Sequence, residues 1–176
     1  MSWCLARTIV DLSLVPEVQY SFGAAKGIDI DAHPVFFQLA QQFCLKTRIF
    51  VIRMPADFQA LPIHIDGHAD KNNAASIIWP LEGCDERSPT KWFETKRHEF
   101  ELIKNSYFLK NAEDLKVCHS QPMLSARKAP YLFRSDILHC GYNFSGTTKV
   151  IVKWELNVSD WEDAKHLFAS LDLIAT

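Results

Sequence analysis

The chain has 176 residues, a net charge of −2 and no run of Lys and Arg, which argues against a nucleic-acid or anionic-membrane partner. Hydrophobic residues make up 48% and aromatic residues 12%, so disorder is excluded as the main state and a single domain over 1–176 with a real core is expected. No apolar stretch approaches the ~20 residues that span a bilayer, and the opening Met-Ser-Trp-Cys-Leu-Ala-Arg lacks the charged-then-apolar order of a signal peptide.

The 5 cysteines (Cys4, Cys44, Cys84, Cys118, Cys140) are dispersed and form no C-x-x-C pair. An odd, scattered set reads as reduced thiols in a cytoplasmic protein, packed as small hydrophobes, and a zinc ribbon is not expected.

In chain order, a helix opens after Asp31, which can cap it, with Pro34 in its first turn and Phe36, Leu39, Ala40 and Phe43 at helical spacing. Arg48 to Arg53 (R-I-F-V-I-R) then reads as a strand. From there the chain turns mostly β. Leu61 to Asp66, Ala75 to Leu81, Thr90 to Thr95, Leu115 to Ser120, Tyr131 to Arg134, Ile137 to Tyr142 and Thr147 to Leu156 are short strands between Pro, Gly, Asn and Asp. A closing helix follows, with Ser159 as cap, Glu162 completing a capping box, and Trp161, Ala164, Phe168 and Leu171 as its buried stripe. Helices at both ends of an unbroken run of strands predict a mainly β fold, a jelly-roll or cupin-like barrel braced by a few helices. A parallel α/β fold needs a helix between successive strands, and the middle of the chain has none.

Leu61 to Gly67 reads L-P-I-H-I-D-G. Residues two apart on a strand share a face, so His64 and Asp66 point together, with Ile63 and Ile65 opposite. An imidazole and a carboxylate so placed supply two ligands of a 2-His-1-carboxylate iron(II) site, which leaves metal positions open for chemistry. H-x-D arises readily by chance, and His68-Ala69-Asp70 is a second copy; the first is favoured because a regular strand fixes both side chains. The third ligand must come from a distant strand. His139, within Pro130 to Asn143 (P-Y-L-F-R-S-D-I-L-H-C-G-Y-N), is the candidate, with His119 as its rival. His33, His98 and His166 read as surface or helix residues.

Downstream, T-T-K-V-I-V-K-W-E-L places Lys149, Ile151 and Lys153 on one strand face and Val150, Val152 and Trp154 on the other. A lysine facing a barrel interior demands an anion; the competing arrangement turns both lysines to solvent.

Taken in order, these residues resemble the Fe(II)/2-oxoglutarate-dependent oxygenase superfamily, with the phytanoyl-CoA-hydroxylase-like and aspartyl-hydroxylase-like branches as the nearest. The resemblance covers Ile63 to Leu156 and rests on H-I-D-G, the later I-I-W-P-L, and H-C-G-Y-N-F-S-G-T-T-K. It implies a double-stranded β-helix in which His64, Asp66 and His139 bind iron(II). It further implies that Lys149, ten residues after His139, holds the 5-carboxylate of 2-oxoglutarate, with Lys153 as the alternative. Many relatives carry Arg at this position, and Lys binds a carboxylate as a point charge without the bidentate fork. The implied activity is hydroxylation of a C–H bond in a small molecule, an amino acid or a peptide side chain. Trp79, Trp92 and Arg134 are candidate substrate contacts, as are Phe93, Tyr142 and Arg53, although aromatic residues at strand spacing also serve a core. Two other classes remain open from sequence: a cupin-like dioxygenase or isomerase without 2-oxoglutarate, and a metal-free barrel used for binding.

Overall fold

The computed structural model describes residues 5–7, 25–29, 45–66, 74–103, 106–125 and 130–170. The helix expected after Asp31, the second H-x-D pair and Leu171 lie outside them. Elements are numbered in chain order. One sheet runs β1 (Leu5–Arg7), β10 (Tyr131–Arg134), β5 (Ala75–Glu82), β12 (Lys149–Leu156), β3 (Leu45–Met54) and β2 (Ala25–Asp29). The other runs β7 (Arg97–Ile103), β8 (Ser106–Glu113), β4 (His64–Asp66), β11 (His139–Gly141), β6 (Pro89–Glu94) and β9 (Lys116–Pro122). Neighbouring strands are antiparallel throughout, and the two sheets face each other as a mainly β sandwich. Among the described residues no strand pairing joins them into a closed barrel.

The central strands β5 and β12 of the first sheet are buried on both faces, which is why they read as nearly unbroken apolar runs. On β12, Val150, Val152 and Trp154 join Ile77, Trp79 and Leu132 in an outer core, while Lys149, Ile151 and Lys153 face the other sheet. Helix α1 (Trp161–Ser170) covers that outer core with Trp161, Ala164 and Phe168. Its cap differs from expectation. Asp160 Oδ1 accepts the Glu162 amide at 2.6 Å, so Asp160 and not Ser159 caps the helix, satisfying one free N–H of the first turn. Glu162 instead pairs with Lys165.

The strand expectations hold at their centres and shift at their ends. The hairpin β7–β8 carries no expectation at all. Its first strand, R-H-E-F-E-L-I, is exposed except at Phe100, so it offers little apolar alternation to read. At the end of β5, Gly83 has φ +61°, and a Cβ there would run into the carbonyl of Thr148. Only glycine fits this approach to the start of β12.

Candidate metal centre

The second sheet delivers the site through register. His139 on β11 pairs with His64 on β4, which pairs in turn with Phe108 on β8. On β4 the alternation sends Ile65 to an outer cluster with Phe93, Leu138 and Cys140, so His64 and Asp66 face the space between the sheets. The two imidazole centroids lie 4.4 Å apart, with Phe108 stacked on His64 and Phe133 edge-on to His139.

Both rings are held the same way. His64 Nδ1–H donates to the Pro62 carbonyl at 2.7 Å, and His139 Nδ1–H donates to the Ile137 carbonyl at 2.8 Å. Each bond fixes the tautomer and turns an Nε2 lone pair toward Asp66, the outer support that metal-binding histidines need. His64 Nε2 lies 3.5 Å from Asp66 Oδ1, and His139 Nε2 lies 3.4 Å from Asp66 Oδ2. One donor atom from each of the three residues falls within 4.8 Å of the others. Two imidazole nitrogens and one carboxylate oxygen at such spacing fit one divalent first-row ion, without the thiolates that a structural zinc site prefers.

Electrostatics keep the donors ready. Burial, and secondarily the neighbouring His139, lowers the His64 pKa to about 4, so its ring is neutral at physiological pH. Burial alone would raise the Asp66 pKa. The ammonium of Lys153, the strongest opposing influence, holds it well below the ordinary carboxylate range.

The three ligands line one end of a cavity of about 60 Å³, walled by Ile52, Met54, Ile78, Phe133 and Ile151. Both lysines of β12 enter it, and neither faces solvent: Lys149 is 1% exposed and Lys153 6%. Their partners differ. Lys153 Nζ donates to Asp66 Oδ2 at 2.6 Å and to Glu155 Oε1 at 3.2 Å. Lys149 Nζ donates to the carbonyls of Ser88 and Tyr142, at 3.1 and 3.0 Å, and no carboxylate reaches it among the described residues. Burial lowers its pKa. Asn143 prepares this end: fully buried, it donates through Nδ2 to Pro55 and Thr147 carbonyls and accepts from Ser145 Oγ.

The remaining candidates fall elsewhere. Trp79 is on the outer face of β5 against Trp154, because Ile78 takes the inward position. Trp92 is completely buried beneath Phe133 and His119 and donates Nε1–H to the Arg134 carbonyl. Arg134 binds Asp136 at 2.7 Å. None of the three lines the cavity, so as substrate contacts they are corrected: Trp79 and Arg134 take the outward parity of their strands, while Trp92, registered with His139, shares the inward face but is packed beneath Phe133. Phe93 packs in the outer cluster, Tyr142 packs against it, and Arg53 sits between the inward Ile52 and Met54. His119 faces Trp92 and Gln121, outside the metal group. The inward aromatic missed from sequence is Phe133, and the missed ionic partners are Lys153 and Glu155. The parity of β12 put Lys153 and Glu155 on one face; nothing in the sequence set the distance to Asp66.

No protein-family model matches the chain, and no curated protein sequence matches it significantly. Among solved structures, the chain is similar to Peruvianin-I, a cysteine peptidase from Thevetia peruviana latex, at 10% identity and TM-score 0.41, over 86% of this chain and 77% of that one. It is also similar to E. coli ycfD at 9% identity and TM-score 0.47, over 97% of this chain but only 46% of ycfD. Likeness at this level assigns neither family nor activity. What is established is a β-sandwich with a His64–Asp66–His139 group that could hold a metal ion.

Proposed function

We propose that the protein is an Fe(II)- and 2-oxoglutarate-dependent dioxygenase, a single double-stranded β-helix domain that hydroxylates an unactivated C–H bond of a small molecule, amino acid or peptide side chain. One observation carries this reading. A cavity holds a two-histidine, one-carboxylate donor set at one end, and the buried ammonium of Lys149 meets only carbonyls elsewhere along the same strand face. Four residues of extended strand separate Lys149 from Lys153 by roughly 13 Å at ~3.3 Å per residue. A short dicarboxylate bound to the metal through one end therefore has a cation to meet with the other. A buried ammonium without an anion is unfavourable, which a metal enzyme without 2-oxoglutarate would leave unexplained.

When bound, the iron with 2-oxoglutarate would supply oxygen activation, coupled to decarboxylation of the cosubstrate to succinate. The chain's own residues do the rest. His64 and His139 present Nε2, Asp66 contributes negative charge, Lys149 neutralises the distal carboxylate, and Ile78, Ile151 and Phe133 keep the cavity wall apolar. Lys153 is committed to Asp66, which makes Lys149 the cosubstrate anchor.

The test is succinate release from purified protein given iron(II), 2-oxoglutarate and oxygen. Succinate that disappears when either iron or 2-oxoglutarate is withheld supports the reading. Stoichiometric metal binding with no succinate and no 2-oxoglutarate binding would contradict it, and would leave a cupin-like metal enzyme.

A further inference from the structure

We propose that Lys153 sets the affinity of this centre for its metal, by holding a positive charge on the same carboxylate that the metal must use. The inference rests on the metal-centre reading above.

Lys153 approaches Asp66 from the opposite sheet. Its Nζ lies 2.6 Å from Oδ2, and both side chains are about nine-tenths buried, at 8% and 10% exposed. Water therefore screens the contact poorly. The backbone that carries it is fixed, because β12 is a central strand and Lys153 is registered with Phe50 on one side and Ile78 on the other. The ammonium engages Oδ2, while Oδ1 is the oxygen 3.5 Å from His64 Nε2. Any ion held by Asp66 and both imidazoles would sit within a few ångströms of this fixed charge. Like charges at that range in a buried site repel strongly, and a divalent ion feels twice the repulsion of a monovalent one. Glu155 holds the ammonium from its other side at 3.2 Å and offsets only part of that charge. Metal and ammonium thus compete for one carboxylate.

A purely structural ion pair makes a different forecast. Its removal would weaken the fold and leave metal binding unchanged or poorer, because Asp66 loses its support. The competition forecasts opposite signs: the chelated protein becomes less stable, while its affinity for a divalent ion rises.

The experiment is calorimetric titration of cobalt(II) into chelator-stripped wild type, Lys153→Met and Lys153→Arg, with His64→Ala to identify the site. Lys153→Met is expected to bind cobalt(II) at least tenfold more tightly than wild type, about 1.4 kcal/mol. Lys153→Arg, which keeps the charge, is expected to bind no more tightly. Should Lys153→Met fail to fold, Lys153→Gln, neutral and still able to donate to Asp66, carries the same expectation. Neutral variants that bind cobalt(II) no better than a competent wild type overturn the role of Lys153. Wild type that takes up no cobalt(II) in a His64-dependent way overturns the metal centre beneath it.

Discussion

Lys149 and Lys153 share a strand, a face and a cavity, and their surroundings divide their work. Lys153 has Asp66 and Glu155, while Lys149 has the carbonyls of Ser88 and Tyr142. Removing the cation opposite a buried carboxylate costs about 3–5 kcal/mol, a hundredfold or more in affinity. Lys149→Ala should therefore raise the 2-oxoglutarate concentration needed for binding by at least a hundredfold and leave iron affinity nearly unchanged. Lys153→Ala, at saturating metal, should do far less; an anaerobic titration of 2-oxoglutarate followed by charge-transfer absorbance ranks the two. The thiols give an independent check on the packing. Burial pushes Cys84 and Cys140 to about 11, whereas Cys118 is exposed. At pH 8 a thiol reagent should label Cys118 in the native protein and reach Cys84 and Cys140 only on unfolding, as read by peptide mapping.

At the scale of elements, β12 carries most of the design. Its odd residues serve the cavity and its even ones the outer core, and that alternation was legible because Lys149 and Lys153 fall on one parity and Val150, Val152 and Trp154 on the other, although Ile151 interrupts the pattern. The H-I-D strand was legible for the same reason, although only three residues of it are regular strand. What sequence could not supply was pairing. The meeting of β4, β11 and β12 depends on register across two sheets, and it decides that Lys153, rather than solvent or a ligand, faces Asp66. The same blindness placed Trp79 near a substrate, since an aromatic residue on a strand looks alike whichever face is buried. The β5–β12 approach has its own test. Gly83→Ala must leave the positive-φ region or push Thr148 aside, and should destabilise the protein by about 1–3 kcal/mol in urea denaturation. Phe168→Ala empties a completely buried position under α1 and should cost about 3–5 kcal/mol in the same assay.

For the whole molecule, the two sheets have separate tasks. The first, sandwiched between α1 and the cavity, buries its central strands β5 and β12 on both faces; the second positions the histidines and continues past them into the exposed hairpin β7–β8. A mainly β architecture was readable from the unbroken run of strands, and its division into two sheets, six strands each among the described residues, was not, because that is settled by long-range pairing. The whole account rests on the three side chains that converge where the sheets face each other. Asp66 is the sole carboxylate among them, and its loss still leaves Lys153 a partner in Glu155, so the fold should tolerate Asp66→Ala. The most direct measurement is therefore anaerobic iron(II) titration of wild type and Asp66→Ala, with circular dichroism to show that both are folded. One iron per chain in wild type and none held tightly by the folded variant is the predicted result; stoichiometric iron in Asp66→Ala would contradict the assignment.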